Sequence, residues 1–365
     1  MRRGRLAVLV AGVLALAVAG WAGLARVGVV PPIPFGDAGT GHGALMVSGF
    51  VGTLVALERA VVVRRWWADL APVLSALGAI GLIAGVSAPL PALAVVLAAL
   101  ILVAVNVRAG QGSAGMALLL MAIGAAAWAV GAMLWAGGAD AHRSMPWWLA
   151  FLVLTIAGER FELSRALRPS PRATVLFAAA CGTFVLGVLA SLVDFGAGLR
   201  LAGAGLLVLA LWLGLRDRAP AASRALELPR YIAAATALAY AWLFAAGALM
   251  ATFDGIVAGW RYDAMVHAAL VGFVISMIFA HAPIIVPGIV GGVVRFRTIL
   301  YVPLALLHAS LVLRVVGDVT ARADWRDWGG LLSGISILVF LLVMASSLRP
   351  RRAASRAALA AARRP

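Results

Sequence analysis

Residues 40–62 read TGHGALMVSGFVGTLVALERAVV. From Leu45 to Leu57 the stretch carries no charge, and it opens on a histidine, His42. About 20 apolar residues make one helical crossing of a bilayer core. An ionisable ring at the mouth of such a span costs free energy unless it has a partner. His42 therefore calls for a partner elsewhere in the chain.

The same kind of stretch recurs along all 365 residues, of which 64% are hydrophobic and only 12% charged. A soluble domain is nearer half apolar and a quarter charged; the mean hydropathy here is +1.04. Twelve spans are expected, near 6–29, 41–62, 69–87, 90–107, 114–136, 146–167, 173–193, 197–215, 231–252, 263–285, 298–316 and 329–347. The first is read as a helix rather than a signal peptide, because its apolar run is too long. The fold class is thus all-α, a polytopic bundle in a single domain over 1–348 with a basic tail over 349–365. Backbone groups in lipid must be satisfied within the segment, which makes each span a helix.

The net charge is +16, and every basic residue is arginine. On a soluble protein this charge would point to nucleic acid. Here the arginines fall in short connections such as VVRRWW, NVRAGQG, SRALRPSPR and VRFR, so no nucleic-acid partner is expected. Those connections alternate with Gly/Pro-rich or mixed ones, and the positive-inside rule then puts both termini in the cytoplasm. The expected location is a bacterial-type inner membrane. Trp66, Trp67, Trp147 and Trp148 read as interfacial anchors. The lone cysteine, Cys181, lies in an apolar run and reads as packing; it excludes an internal disulfide.

Five histidines are present. His42 opens the second span, and His267, in YDAMVHAALVGFV, stands near the same side in the tenth. At about 1.5 Å per residue both fall within two turns of the outer surface. Two imidazoles at one depth on facing helices make a pair of axial haem ligands; the alternative is two interfacial rings that only hydrogen-bond. His281 follows His267 by a rotation about 40° short of four turns, so in a regular helix the two share a face. No inner-side histidine exists to pair with His281, which reads either as a metal ligand or as a partner for backbone freed at Pro283. His308, in VPLALLHASLVLRVV, lies about 12 Å below the outer surface and is a candidate third ligand or hydrogen-bond partner. Imidazole clusters suit iron, copper or zinc. Arg261 and Arg314 are placed to meet carboxylates such as haem propionates, or simply to snorkel. The Glu58-Arg59 and Glu159-Arg160 pairs end the second and sixth spans on one side and read as ion pairs or a proton entry.

Twelve helices with histidines in the second and tenth resemble the catalytic subunit of haem-copper oxidases. His42, in HGALM, matches the first low-spin haem ligand position of that family, and His267 the second. The copper-site histidines of the sixth and seventh helices have no counterpart here, so oxygen reduction is not carried over. HGALMVSGFVGTLVALERA and HAALVGFVISMIFAHAP are also similar to the histidine helices of the NnrS family. These are multi-span haem- and copper-containing proteins associated with resistance to nitric oxide. That resemblance implies haem b, copper as an open second metal, and a role in electron transfer or nitric-oxide and respiratory stress, with a respiratory electron donor as partner. The competing readings are a cofactor-free twelve-helix transporter and an assembly factor for a respiratory complex.

Overall fold

The computed structural model describes residues 2–31, 41–110, 115–164, 169–217, 227–253 and 255–350. The described chain is almost entirely helical. Its twelve long helices are α1 Arg2–Arg26, α2 His42–Val63, α3 Trp66–Ile83, α4 Pro89–Ala109, α5 Gly115–Ala136 and α6 Ala141–Ser164. They continue as α7 Pro171–Ala190, α8 Phe195–Arg216, α9 Glu227–Thr252, α10 Trp260–Val290, α11 Thr298–Thr320 and α12 Ala323–Ser347. Each expected span coincides with one of them. Much of the first outer connection and of the arginine-rich connections after α4, α6 and α8 lies outside the described residues, as does the tail from 351 onward.

Eleven of the twelve are long and apolar enough to cross a membrane. The exception is α6, whose hydropathy is lowered by Arg143, Glu159, Arg160 and Glu162. It is nevertheless the most enclosed: every residue from Ser144 to Thr155 is buried. A helix buried on all sides belongs at the centre of a bundle. Trp147 and Trp148, expected at the interface, are therefore core residues at 7% and 5% exposure. Trp66 fits the expectation and stands exposed.

Most helices pack as antiparallel neighbours in chain order, and α10 is the hub, touching α1, α2, α6, α9 and α11. Glycines set the close approaches. A Cβ on Gly187 of α7 would sit 2.2 Å from the backbone nitrogen of Ala202 in α8, and one on Gly203 of α8 would meet Gly247 of α9 at 2.7 Å. Small residues at contacts of this kind let helix backbones pack without a polar driving force. A short antiparallel pair, β1 Gly292–Val294 with β2 Leu348–Pro350, ties the end of α10 to the end of α12. The structure therefore continues past residue 348, where the tail was expected to begin.

Two helices widen to the π form among the described residues, and they are the two that carry the expected haem ligands. The hydrogen bonding of α2 widens to the π form over Leu45–Gly52, and that of α10 over Ala268–Ile275. Each eight-residue segment starts close after its histidine, at His42 and at His267. In each, a tryptophan lies over a glycine: Trp128 on Gly52, and Trp242 on Gly272. π segments are rare and cluster at functional sites. In α2 the geometry is held from outside the helix. Ser75 of α3 donates to the Ser48 carbonyl at 2.8 Å, Thr53 donates to Ser75, and the Trp128 indole donates to the Ser48 hydroxyl at 2.9 Å.

Candidate cofactor site

His42 begins α2 and lies against α1. Its ring covers Gly23, where a Cβ would come within 2.8 Å of it. Its Nδ1 lies 2.7 Å from the carbonyl oxygen of Ala19. A carbonyl only accepts, so Nδ1 carries the proton and Nε2 keeps its lone pair. His267 repeats the arrangement. Its Nδ1 is 2.9 Å from the Asp263 carbonyl and 3.2 Å from the Asp263 carboxylate, which fixes the same tautomer. A ring nitrogen donating to a carbonyl or carboxylate is how proteins orient metal-ligating histidines and raise their basicity. His267, Arg26 and Arg314 all lie within electrostatic range of His42. The structure thus brings both histidines to one end of the bundle.

Asp263 anchors a wider polar cluster there. Arg314 of α11 donates to it through Nε and Nη2, at 3.1 and 2.8 Å. Arg326 of α12 lies 3.8 Å from Asp263 and 3.2 Å from the buried Asp318. Two carboxylates and two guanidiniums balance one another. Arg314 is therefore already engaged by the protein, and Arg261 is exposed and sits over the ring of Phe253 at 5.4 Å. Asp263 was legible in principle, since it precedes His267 by four residues and so shares its helix face.

His308 has the opposite tautomer. The indole of Trp242 donates to its Nδ1 at 2.9 Å, so the neutral ring carries its proton on Nε2. That atom is buried and without a partner. A protonated nitrogen has no lone pair for a metal, which makes His308 a hydrogen-bond donor rather than a third ligand.

His281 is turned elsewhere. Its Nδ1 meets the Met277 carbonyl at 2.8 Å, and its Nε2 lies 3.0 Å from Arg160 Nη1. The lone pair that would bind a metal faces a guanidinium. The shared face expected for His267 and His281 is also lost, because the π segment between them takes more residues per turn. His267 belongs with Asp263 and α11, and His281 with α6.

Arg160 is the centre of a second cluster, at the other end. It grips Asp217 through Nε at 2.6 Å and Nη2 at 2.8 Å, and the Tyr240 hydroxyl donates to the same carboxylate. Four helices meet there: α6, the end of α8, α9 and α10. Near it, Glu58 and Arg59 of α2 come within electrostatic range of Glu159, and Arg59 donates to Asn106 at 3.2 Å. The two Glu-Arg pairs seen in the sequence therefore meet in space. His142 only packs edge-on against Phe195, with ring centroids 5.1 Å apart.

Among the described residues no group of three or more His, Cys, Asp or Glu side chains is arranged to hold a metal ion. Among the histidines of the described helices, His42 and His267 are the two whose Nδ1 is taken by a backbone carbonyl while Nε2 has no hydrogen-bond partner among the described residues. No curated protein matches the chain. A family model described as a domain of unknown function, DUF8744, matches residues 5–349, nearly the whole chain, and the protein therefore belongs to the DUF8744 family.

Proposed function

We propose that this chain is a multi-pass membrane protein that holds haem b between His42 and His267 at the outer ends of α2 and α10. The observation that carries the reading is the matched tautomer of the two rings. Each is locked by a backbone carbonyl so that Nε2 offers a lone pair, and each stands at the head of a π segment. The eleven long apolar helices support the bilayer as solvent. The arginine-bearing connections favour an inner membrane with both termini in the cytoplasm.

In this reading Ala19 and Asp263 orient the ligands, and Asp263 also keeps negative charge next to His267. Arg314 and Arg326 balance that charge within the protein. His308 supplies a donor hydrogen from α11 towards the same half of the bundle. Haem held by two histidines supplies one-electron transfer, whereas gas binding needs one axial bond to open. The resemblance of the two histidine helices to those of the NnrS family supports a role in nitric-oxide or respiratory stress, with a respiratory chain component as electron donor and copper as an open second metal.

The test is a reduced-minus-oxidised visible spectrum of the detergent-purified protein, with a pyridine haemochrome assay. A b-type spectrum near one haem per chain is expected. A folded, colourless protein after expression with haem supplied would hand the reading to the cofactor-free transporter.

A further inference from the structure

A cavity of about 480 Å³ opens at the end of the bundle opposite His42, lined by Arg65, Trp66, Trp67, Ala104, Val107 and Arg108. It lies where α2 ends, α3 begins and α4 ends. The chain reaches it through a fixed turn: Arg64 closes α2 in the left-handed region at φ 56°, and Arg65 follows in extended backbone. Such a conformation is uncommon for a residue with a side chain, and here it turns the chain sharply from α2 into α3.

The basic charge of this cavity is not answered by a carboxylate among the described residues. The carboxylate in this turn, Asp69, is taken by Arg5 of α1 at 3.0 and 3.3 Å. No acidic residue lines the cavity. Among the described residues Arg65 and Arg108 form no ion pair. They face the cavity together with two indoles and the apolar flank of α4. Two uncompensated guanidiniums beside tryptophans suit a ligand with an anionic head and an apolar body.

We propose that this cavity binds the phosphate headgroup of an anionic phospholipid. The guanidiniums meet the phosphate oxygens, the indoles lie at headgroup level, and the acyl chains run along the exposed apolar face of α4 at Leu100, Leu97 and Leu93. Basic pockets between helices on the cytoplasmic side are the general setting for such recognition. The assignment rests on the membrane reading above, with this end cytoplasmic.

The experiment is native mass spectrometry of the full chain released from nanodiscs of phosphatidylcholine with a minor fraction of phosphatidylglycerol. The unmodified chain is expected to retain phosphatidylglycerol in preference to phosphatidylcholine. Each arginine near an anionic surface contributes about fivefold, so Arg65→Gln with Arg108→Gln is expected to lower that preference more than about tenfold. Both residues are exposed, so the core is left intact. Arg172→Gln, an exposed arginine on α7 away from the cavity, is expected to change nothing. Equal retention by the double variant and the unmodified chain would overturn the site. Displacement of the lipid by inorganic phosphate at no more than the lipid's own concentration would overturn it as well, because a lipid site gains from the acyl contacts along α4 that a free phosphate lacks. A chain that stays soluble without detergent and does not enter the discs would overturn the membrane reading itself, a result distinct from entry without lipid preference.

Discussion

Replacing His42 or His267 with alanine is expected to abolish haem retention, while His142→Ala leaves it unchanged. In the proposed site each ring would be the whole contribution of its helix to the iron, and no neighbouring histidine among the described residues stands ready to substitute. His281 is held by Arg160, and His308 presents a proton rather than a lone pair. The two alanine variants should behave alike, because either substitution would remove one of the two imidazoles that would hold the haem. His308→Gln is expected to keep haem in full stoichiometry, because His308 is a donor and not a ligand. The pyridine haemochrome value per chain checks all four variants. Full retention by both single ligand variants would remove the assignment. Loss in His308→Gln equal to that in the ligand variants would place a third ligand where the tautomer argues against one.

The second large effect belongs to the other end. Asp217→Asn keeps the shape of the side chain but leaves the Arg160 guanidinium buried without its bidentate counter-charge. Breaking one partner out of a buried pair costs about 3–5 kcal/mol, whereas replacing both with apolar groups is often near neutral. Arg160 and Asp217 are 7% and 5% exposed, so water offers little relief. The expected result is a sharp fall in the thermal unfolding midpoint of Asp217→Asn in detergent, with much of it restored in Arg160→Met combined with Asp217→Leu. An unchanged midpoint in the single variant would show that the cluster is solvated and does not clamp the four helices.

The helices were readable because long apolar runs, punctuated by Gly, Pro and Arg, leave few other options. All twelve fell where the pattern put them. The centre of the bundle was not readable from hydropathy, since α6 is the least apolar helix and yet the most enclosed. Its charges sit at its ends, where Arg160 is answered by Asp217, so a mean over the helix misleads. Trp147 and Trp148 were misplaced for a related reason. A tryptophan near a helix end suits the interface in general, but here α5 packs across it at Gly131.

The π segments left no trace in the sequence, because runs such as LMVSGFVG and AALVGFVI are apolar on every face and have no phase to shift. The consequence was the wrong face for His281. Asp217 follows Arg216 at the start of a basic connection, and only the fold shows that it turns inward to Arg160. The histidine pair itself was visible as spacing and depth. Its tautomers were not, since they depend on the carbonyls of Ala19 and Asp263 and on the indole of Trp242. Those three contacts separate the tautomer of His42 and His267 from that of His308.

The most direct test is the low-temperature electron paramagnetic resonance spectrum of the ferric protein in detergent, before any substitution. Two imidazoles on one iron give a low-spin ferric signal, and the proposed ligation predicts that signal as the dominant species. A dominant high-spin signal, or haem absent altogether, would contradict axial ligation by His42 and His267.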